Sequence, residues 1–427
     1  MDLTLPSEDG FHWKDHVLYC EDVDLEKATS RFGTPLYVYS RKAIEIAYRR
    51  YADALQGIPH LMCYALKANS NLAIIDVLAR LGAGFDIVSG GELARVKAAG
   101  GDTKKVVFSG VGKSTQEITD ALNADIYCFN VESIPELDRI IETARQTGKR
   151  ARISLRVNPD VDAKTHPYIS TGLKKNKFGI AINEAFNVYR HAAQFPEQLH
   201  ITGIDCHIGS QLTELSPFLD ACHRIVDLID KLKEHGIELE HIDFGGGLGI
   251  TYQNENPPTP AELIANLRQI LCDRGYDHLE MVFEAGRSIV GNAGALLTKI
   301  EYLKKGEEKN FCIVDAAMND MVRPTLYQAW MQIVPVNTQK LPHDEQVWNV
   351  VGPICETGDW LAKDRSLSLE QGQILALLSA GAYGMSMSSN YNTRVRPAEI
   401  LVDGDKTYII RPREEVQELF ANETRIP

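Results

Sequence analysis

One lysine stands in a sequence position where a cation is costly. Lys67 follows the apolar run His60-Leu-Met-Cys-Tyr-Ala-Leu, which is typical of a buried strand. Desolvation disfavours an ammonium group and yields a neutral amine that can attack an aldehyde. Pyridoxal phosphate (PLP) is the commonest aldehyde cofactor that a lysine binds as a Schiff base. Lys67 is therefore a candidate catalytic and PLP-binding residue, although a lysine whose stem covers the strand end and whose ammonium reaches water is an open alternative.

Three other features that could take part in chemistry also follow apolar runs. They are His207, the glycine cluster 245–249, and Glu284 with Gly286 and Arg287. Glycines let an anion approach backbone N–H groups, so the two glycine segments are candidates for a phosphate site. Glu284 could keep a pyridine nitrogen protonated, which favours a carbanion-forming reaction. A tight turn, a paired surface carboxylate and a structural histidine remain the alternatives for each group taken alone.

The sequence excludes two nucleotide-binding motifs. The glycine cluster 245–249 lacks the final glycine of the dinucleotide motif because position 250 is Ile, and Gly112-Lys113-Ser114 lacks the leading glycine of a P-loop because position 107 is Val. No metal site is expected from the pattern of ligating residues.

These groups need a scaffold that brings strand ends together, and the hydrophobic pattern predicts one. Eight apolar runs alternate with amphipathic helical patterns between about residues 60 and 290. The predicted strands are Leu61–Leu66, Gly84–Val88, Val106–Ser109, Ile126–Phe129, Arg152–Val157, Ile201–Cys206, His241–Phe244 and Met281–Phe283. Eight β-then-α units indicate a (β/α)8 TIM barrel, whose catalytic groups cluster at the C-terminal strand ends. A doubly wound open sheet is the competing fold.

The remaining sequence predicts a second, mainly antiparallel β domain. Beyond residue 290 the helical period fades, and Asp403-Gly404 is a hairpin signal between two strand-like runs. The N-terminal runs Val17–Cys20 and Leu36–Tyr39 have the same character. We therefore predict a PLP-binding barrel over 39–290 and a β-rich domain made of 1–38 and 291–427.

Composition excludes several classes of partner. The 427 residues carry a net charge of -13, which repels phosphate backbones and anionic membranes, so no nucleic acid and no membrane is expected. The sequence has no membrane-length apolar run and no N-terminal signal pattern. Its eight cysteines include no C-x-x-C pair, which fits a reducing, cytoplasmic location.

Seven motifs together resemble the fold-type III PLP-dependent decarboxylases, and most closely the branch that acts on diaminopimelate. The motifs are Tyr64-Ala-Leu-Lys67-Ala-Asn, Phe85-Asp-Ile-Val-Ser-Gly-Gly-Glu-Leu93, His207-Ile-Gly-Ser-Gln211, Phe244-Gly-Gly-Gly-Leu-Gly249, Glu284-Ala-Gly-Arg287, Cys355-Glu-Thr-Gly-Asp359 and Gly381-Ala-Tyr383-Gly-Met. The likeness extends from about residue 11 to 415. One departure is Ala285, which stands where the family has a proline that would rigidify the turn.

The resemblance implies a head-to-tail homodimer with shared active sites, PLP on Lys67, and a role for each matching residue. It assigns the phosphate of PLP to Ser210, Gly246, Gly247 and Gly286. It assigns stacking on the cofactor ring to His207 and the contact with the pyridine nitrogen to Glu284. Contacts with both cofactor and substrate are assigned to Arg287 and Tyr383, and contacts with substrate to Arg323 and Tyr327. Cys355 would be a general acid and Glu356 a substrate contact, both reaching into the partner's site.

The activity implied by this resemblance is decarboxylation of meso-2,6-diaminopimelate to L-lysine and CO2, on a small amino-acid substrate. A related decarboxylase of basic amino acids or carboxylated polyamines is the main alternative. An enzyme similar to alanine racemase would not need a carboxylate at the pyridine nitrogen, and a non-catalytic homologue would not need Lys67 or Cys355. The presence of Glu284 together with these two residues disfavours both.

Overall fold

The computed structural model describes residues 2–162, 176–339, 341–342 and 344–427. They form two compact units. The first comprises Ala47–Ile250 and Asn256–Ser288, and the second comprises Met1–Ile46, Thr251–Glu255 and Ile289–Pro427.

The described residues contain 21 β strands. They are β1 (Phe11–Lys14), β2 (Val17–Cys20), β3 (Val23–Asp24), β4 (Leu36–Ser40), β5 (His60–Ala65), β6 (Gly84–Ile87), β7 (Val106–Phe108), β8 (Cys128–Val131), β9 (Ala151–Asn158), β10 (Ile180–Ala181), β11 (Leu199–Asp205), β12 (His241–Asp243), β13 (Glu280–Ala285), β14 (Gly294–Lys304), β15 (Asn310–Val314), β16 (Ile333–Pro335), β17 (Gln346–Val351), β18 (Trp360–Leu367), β19 (Ile374–Leu377), β20 (Ala398–Asp403) and β21 (Lys406–Arg411).

The same residues contain 11 α-helices. They are α1 (Leu25–Phe32), α2 (Arg41–Ala54), α3 (Leu72–Arg80), α4 (Gly90–Ala98), α5 (Thr115–Asn123), α6 (Ile134–Thr147), α7 (Ile182–Ala192), α8 (Ser216–Glu234), α9 (Pro260–Asp273), α10 (Arg287–Val290) and α11 (Arg323–Tyr327). No helix in the described ranges is both long and apolar enough to cross a bilayer.

The first unit is a closed parallel barrel. Its strands pair in the order β9-β11-β12-β13-β5-β6-β7-β8, and β8 pairs with β9 to close the ring. This confirms the predicted (β/α)8 architecture and excludes the open sheet. The predicted fourth strand is displaced by two residues, because Cys128–Val131 rather than Ile126–Phe129 makes the ladder.

Polar caps fix where the barrel helices begin. Ser89 and Ser133 accept hydrogen bonds from the third backbone N–H of α4 and α6. Ser114 and Thr259 form reciprocal capping boxes with glutamates at the start of α5 and α9. Each cap satisfies N–H groups that a helix start leaves without partners, so the chain leaves each C-terminal strand end through a defined turn.

The second unit is built on sheets. A three-stranded sheet joins β1, β2 and β3, and a nine-stranded sheet contains the path β18-β17-β15-β14-β4-β20-β21 with β16 and β19 beside it. The predicted antiparallel character holds for most pairs, but β15 with β17 and β4 with β20 are parallel. The predicted hairpin at Asp403-Gly404 is confirmed, because β20 and β21 pair across it and Gly404 has φ +63.

Candidate active site

Lys67 lies immediately beyond β5, in the short 3-10 turn Leu66–Ala68. The sequence predicts a desolvated amine, but the Lys67 side chain is 37% exposed and Nζ donates to the Asp86 Oδ2 at 2.6 Å. Asp86 belongs to β6, and its neighbour in register on β5 is Ala65. The Asp86 carboxylate is buried, so it fixes the direction in which the lysine projects.

The glycine turn after β12 packs too closely against neighbouring backbone to carry side chains. A Cβ at Gly246 would lie 2.3 Å from the Glu284 carbonyl oxygen, and a Cβ at Gly247 would lie 2.4 Å from the Gly209 carbonyl oxygen. Gly247 also has φ +110, which side-chain-bearing residues rarely adopt. Both positions therefore require glycine, and the bare backbone at such a turn is suited to bind an anion through N–H groups.

Ser210 and Arg287 meet on the same side of the barrel. The Arg287 guanidinium donates to Ser210 Oγ from Nη2 at 3.0 Å and from Nε at 3.3 Å. Gly286, just before Arg287, packs close to Ala65 and Ala68, with a virtual Cβ at 3.0 Å from the Ala68 Cβ. A guanidinium and a hydroxyl so placed can bind an oxyanion.

His207 follows β11 and faces the glycine turn. Its Nδ1 accepts a hydrogen bond from the Gly246 N–H at 3.2 Å. Burial lowers the pKa of His207 well below its ordinary value, and the cations Arg156 and Lys67 lower it further. The imidazole is therefore neutral at physiological pH, which suits a ring that stacks rather than one that transfers protons.

Glu284 lies on β13 within a group of buried carboxyls. Oxygens of Glu284, Asp205 and Asp243 all lie within 4.8 Å of one another. Burial raises the pKa of Glu284 to about 7, with the Asp86 carboxylate adding to the shift and Lys67 opposing it. Burial and the Glu284 charge raise the pKa values of Asp205 and Asp243 well above the ordinary range.

Neutral donors and one arginine surround these carboxyls. Ser109 Oγ and Asn130 Nδ2 donate to Glu284 Oε1 at 3.3 and 3.1 Å. Arg156 Nη1 donates to Glu132 Oε1 at 2.9 Å, and its Nε lies 3.9 Å from Asp205 Oδ2. The buried end of the barrel is thus strongly acidic, and a cationic ring nitrogen would be favourable there.

The donor set fits PLP. A lysine at a strand end, two glycines that exclude any side chain, a Ser–Arg pair for an anion and a buried carboxyl are the groups that PLP requires of a protein. All of them project from C-terminal ends of barrel strands, where active sites of this fold lie.

Cys355 and Glu356 belong to the β-rich unit, where one segment contacts both. Asn392 Oδ1 accepts from the Cys355 N–H at 3.3 Å and from its Sγ at 3.4 Å. The Tyr391 hydroxyl donates to Glu356 Oε1. Both Cys355 and Glu356 are exposed, so they are available to a ligand or to another chain.

The other predicted substrate residues lie elsewhere in this unit. Arg323 and Tyr327 begin and end α11, and the buried Arg323 guanidinium lies 4.6 Å from the centre of the Tyr252 ring. Tyr383 has φ +57, a strained conformation for a residue with a large side chain. Such strain persists where surrounding structure imposes it, often at functional sites.

The sequence reading missed five residues of the barrel site: Asp86, Asn130, Arg156, Asp205 and Asp243. Each lies within a predicted strand or next to one, where a polar residue interrupts an otherwise apolar run. That interruption is the signal that could have found them, because a polar residue in a buried strand needs a partner.

Comparisons with known proteins agree with this geometry. The profile of the family "Pyridoxal-dependent decarboxylase, pyridoxal binding domain" matches residues 41–291. The diaminopimelate decarboxylases of Pseudomonas aeruginosa and Haemophilus influenzae are 59% and 55% identical, covering 98% and 97% of this chain and 100% and 99% of their own. The crystal structure of diaminopimelate decarboxylase from M. jannaschii in co-complex with L-lysine matches with TM-score 0.93 and 40% identity, covering 99% of each chain.

The identity to these proteins extends over nearly the whole chain, and the (β/α)8 barrel presents the groups that PLP requires. The chain belongs to the diaminopimelate decarboxylase family of PLP-dependent decarboxylases.

Proposed function

We propose that this protein decarboxylates meso-2,6-diaminopimelate to L-lysine and CO2, with PLP on Lys67. The observation that carries the proposal is the set of groups at the C-terminal ends of the barrel strands, in a chain of this family. There Lys67, oriented by Asp86, and the buried Glu284 lie near the glycine turn that is suited to bind an anion. Bound PLP supplies an electron sink for the carbanion that forms when CO2 leaves.

The chain's own residues hold and orient the reactants. Lys67 Nζ provides the amine that binds the cofactor, and Asp86 orients it at 2.6 Å. We assign the phosphate to Ser210, Gly246, Gly247 and Gly286. The Gly246 N–H donates to His207 Nδ1, so Gly246 contributes a backbone without a side chain and not that donor. Glu284 keeps a proton on the pyridine nitrogen, which strengthens electron withdrawal.

Substrate selection rests on the second amino-acid head of diaminopimelate. We assign the distal carboxylate to Arg287 and Arg323, since guanidinium groups bind carboxylates in a planar, bidentate manner. We assign the distal ammonium to Glu356. Tyr327 and Tyr383 would line the same substrate. Lysine lacks the distal carboxylate and would leave guanidinium groups unpaired, a penalty on the order of 10⁴-fold in polar sites.

A substrate panel tests this assignment. We expect kcat/KM for meso-diaminopimelate to exceed the values for lysine, ornithine and arginine by several orders of magnitude. Arg323→Lys should reduce this preference, because a point charge cannot reproduce bidentate binding. Comparable kcat/KM for lysine or ornithine would instead identify a broader basic amino-acid decarboxylase.

We also propose a homodimer in which Cys355 and Glu356 complete the partner's active site. The exposed position of both residues supports this, since an exposed thiol is accessible to another chain and can serve as an acid in that chain's site. Mixed Lys67→Ala and Cys355→Ala chains should then regain activity, because each heterodimer has one site with both groups intact. Failure to complement, with subunit exchange demonstrated, would place Cys355 outside the partner's site.

We further propose that residues 39–290 form the PLP-binding domain, with 1–38 and 291–427 as the β-rich domain, supported by the family match at 41–291. A cytoplasmic location is proposed because all eight cysteines are free thiols, which fits a reducing compartment.

A further inference from the structure

Three neighbouring barrel strands direct carboxyl groups to one place. Asp205 on β11 and Asp243 on β12 are register partners, and Asp243 is also in register with Val282 on β13. Glu284 lies two residues beyond Val282 and therefore on the same face of its strand. The three side chains are buried, and their oxygens lie within 4.8 Å.

These carboxyls outnumber the cations available to them. Lys67 is paired with Asp86 at 2.6 Å, and Arg156 is paired with Glu132 at 2.9 Å while its Nε lies 3.9 Å from Asp205. In the described ranges, no lysine, arginine or histidine nitrogen lies within 4.0 Å of an oxygen of Asp243 or Glu284. Two adjacent buried carboxylates without a cation in contact are unfavourable, and a proton held between them would remove this cost.

The hydrogen bonds differ between the two carboxyls. Glu284 Oε1 accepts from Ser109 Oγ and from Asn130 Nδ2, so neutral donors stabilise its anion. Asp243 Oδ1 accepts from the Gly245 N–H at 2.8 Å, whereas its Oδ2 has only a 3.4 Å contact with Asn130. The oxygen with the weaker donor, Asp243 Oδ2, is the better site for the proton.

We propose that Asp243 is a positioning residue that is protonated at neutral pH and donates a hydrogen bond to Glu284, which keeps Glu284 ionised for the pyridine nitrogen of PLP. This inference rests on the proposed role of Glu284. The pKa direction of Asp243 agrees with it, because burial and the Glu284 charge raise that pKa well above its ordinary value.

The first test uses Asp243→Asn, since an amide reproduces a protonated carboxyl in shape and can donate to Glu284. Infrared difference spectra between the PLP-loaded wild type and this variant should contain a carboxylic-acid C=O band from the wild type. An ionised carboxylate band in its place would overturn the proposal, as would one tightly bound divalent cation per chain.

The second test observes the cofactor directly. PLP labelled with ¹⁵N in the ring should give a protonated-nitrogen NMR signal in the wild type and in Asp243→Asn. Asp243→Ala should lose it over part of the pH range, because removing a hydrogen bond to a charged acceptor changes its protonation equilibrium about 10- to 100-fold. Ser154→Ala is the matched control, since Ser154 Oγ is buried in the same barrel without a hydrogen-bond partner among the described residues.

Two results of the second test would overturn the proposal: a protonated nitrogen in Asp243→Ala at every pH, or its loss in Asp243→Asn as well. If Asp243→Ala fails to fold, the infrared comparison with Asp243→Asn decides alone. These spectra are independent of substrate, so absence of decarboxylation with the acid band intact refutes the proposed activity while the protonation of Asp243 stands.

Discussion

Replacing Glu284 by Gln should make the cofactor-free protein more stable and the enzyme much slower. Burial raises the pKa of Glu284 from 4.5 to about 7, so the folded state holds this proton more tightly than the unfolded chain does. The resulting decrease in the free energy of unfolding is absent below pH 4.5. It grows as Glu284 ionises in the unfolded chain and is complete above pH 7. Gln carries no charge and avoids this cost.

The difference between the two pKa values sets the size of the effect. It corresponds to about 3 kcal/mol in the free energy of unfolding at pH 8, and to less than about 1 kcal/mol at pH 5. Removing one charge also relieves Asp205 and Asp243, whose pKa values the Glu284 carboxylate raises. Turnover should fall by about 10- to 100-fold, because a hydrogen bond to a charged group is lost.

Urea denaturation of the cofactor-free proteins at pH 5 and pH 8 checks the predicted change in stability. Measurement of kcat after PLP loading checks the predicted fall in turnover. Glu399→Gln is the matched control, since Glu399 is equally buried but accepts from Arg411 at 2.6 Å and from Tyr39 at 2.7 Å. That substitution should destabilise the protein, because it weakens the ion pair of a buried carboxylate with the half-buried Arg411. A Glu284→Gln protein that is less stable than the wild type at pH 8, or equally fast, would refute this reasoning.

Two further predictions concern the barrel. Burial lowers the pKa of His241 to about 3, so the unfolded chain takes up its proton first as pH falls below 6.5, and the contribution of His241 to the free energy of unfolding should fall by about 2 kcal/mol between pH 7 and pH 5. Glu284 changes stability in the opposite direction over this range, so urea titrations should compare two proteins: the free energy of unfolding of His241→Asn relative to the wild type should rise by about 2 kcal/mol from pH 7 to pH 5, and an unchanged difference would contradict the assignment. Gly246→Ala should weaken PLP affinity at least about tenfold in fluorescence titrations, because its Cβ meets the Glu284 carbonyl at 2.3 Å and overpacking typically costs 1–3 kcal/mol. Gly112→Ala, with nothing within 4 Å, should bind PLP like the wild type.

The barrel could be predicted because its strands are buried and read as short apolar runs separated by amphipathic helices. The position of Lys67 at a strand end followed from the same pattern. The pairing of Lys67 with Asp86 could not be predicted, because the contact depends on the register between β5 and β6. The exposure of the lysine side chain depends on that contact as well.

The β-rich unit was harder to predict than the barrel for a similar reason. Its strand-like apolar runs could be identified in the sequence. The parallel pairing of β15 with β17 could not, because these two strands are not consecutive along the chain. The cluster formed by the carboxyl groups of Asp205, Asp243 and Glu284 likewise depends on the register of three strands. Local periodicity carries no information about such alignment.

The most direct test of the central claim is product formation from meso-diaminopimelate by the purified, PLP-loaded protein. We expect L-lysine and CO2 in equal amounts, with no product from the Lys67→Ala protein even when PLP is supplied in excess. A wild-type protein that binds PLP but releases no CO2, or a Lys67→Ala protein that retains wild-type turnover, would contradict the account.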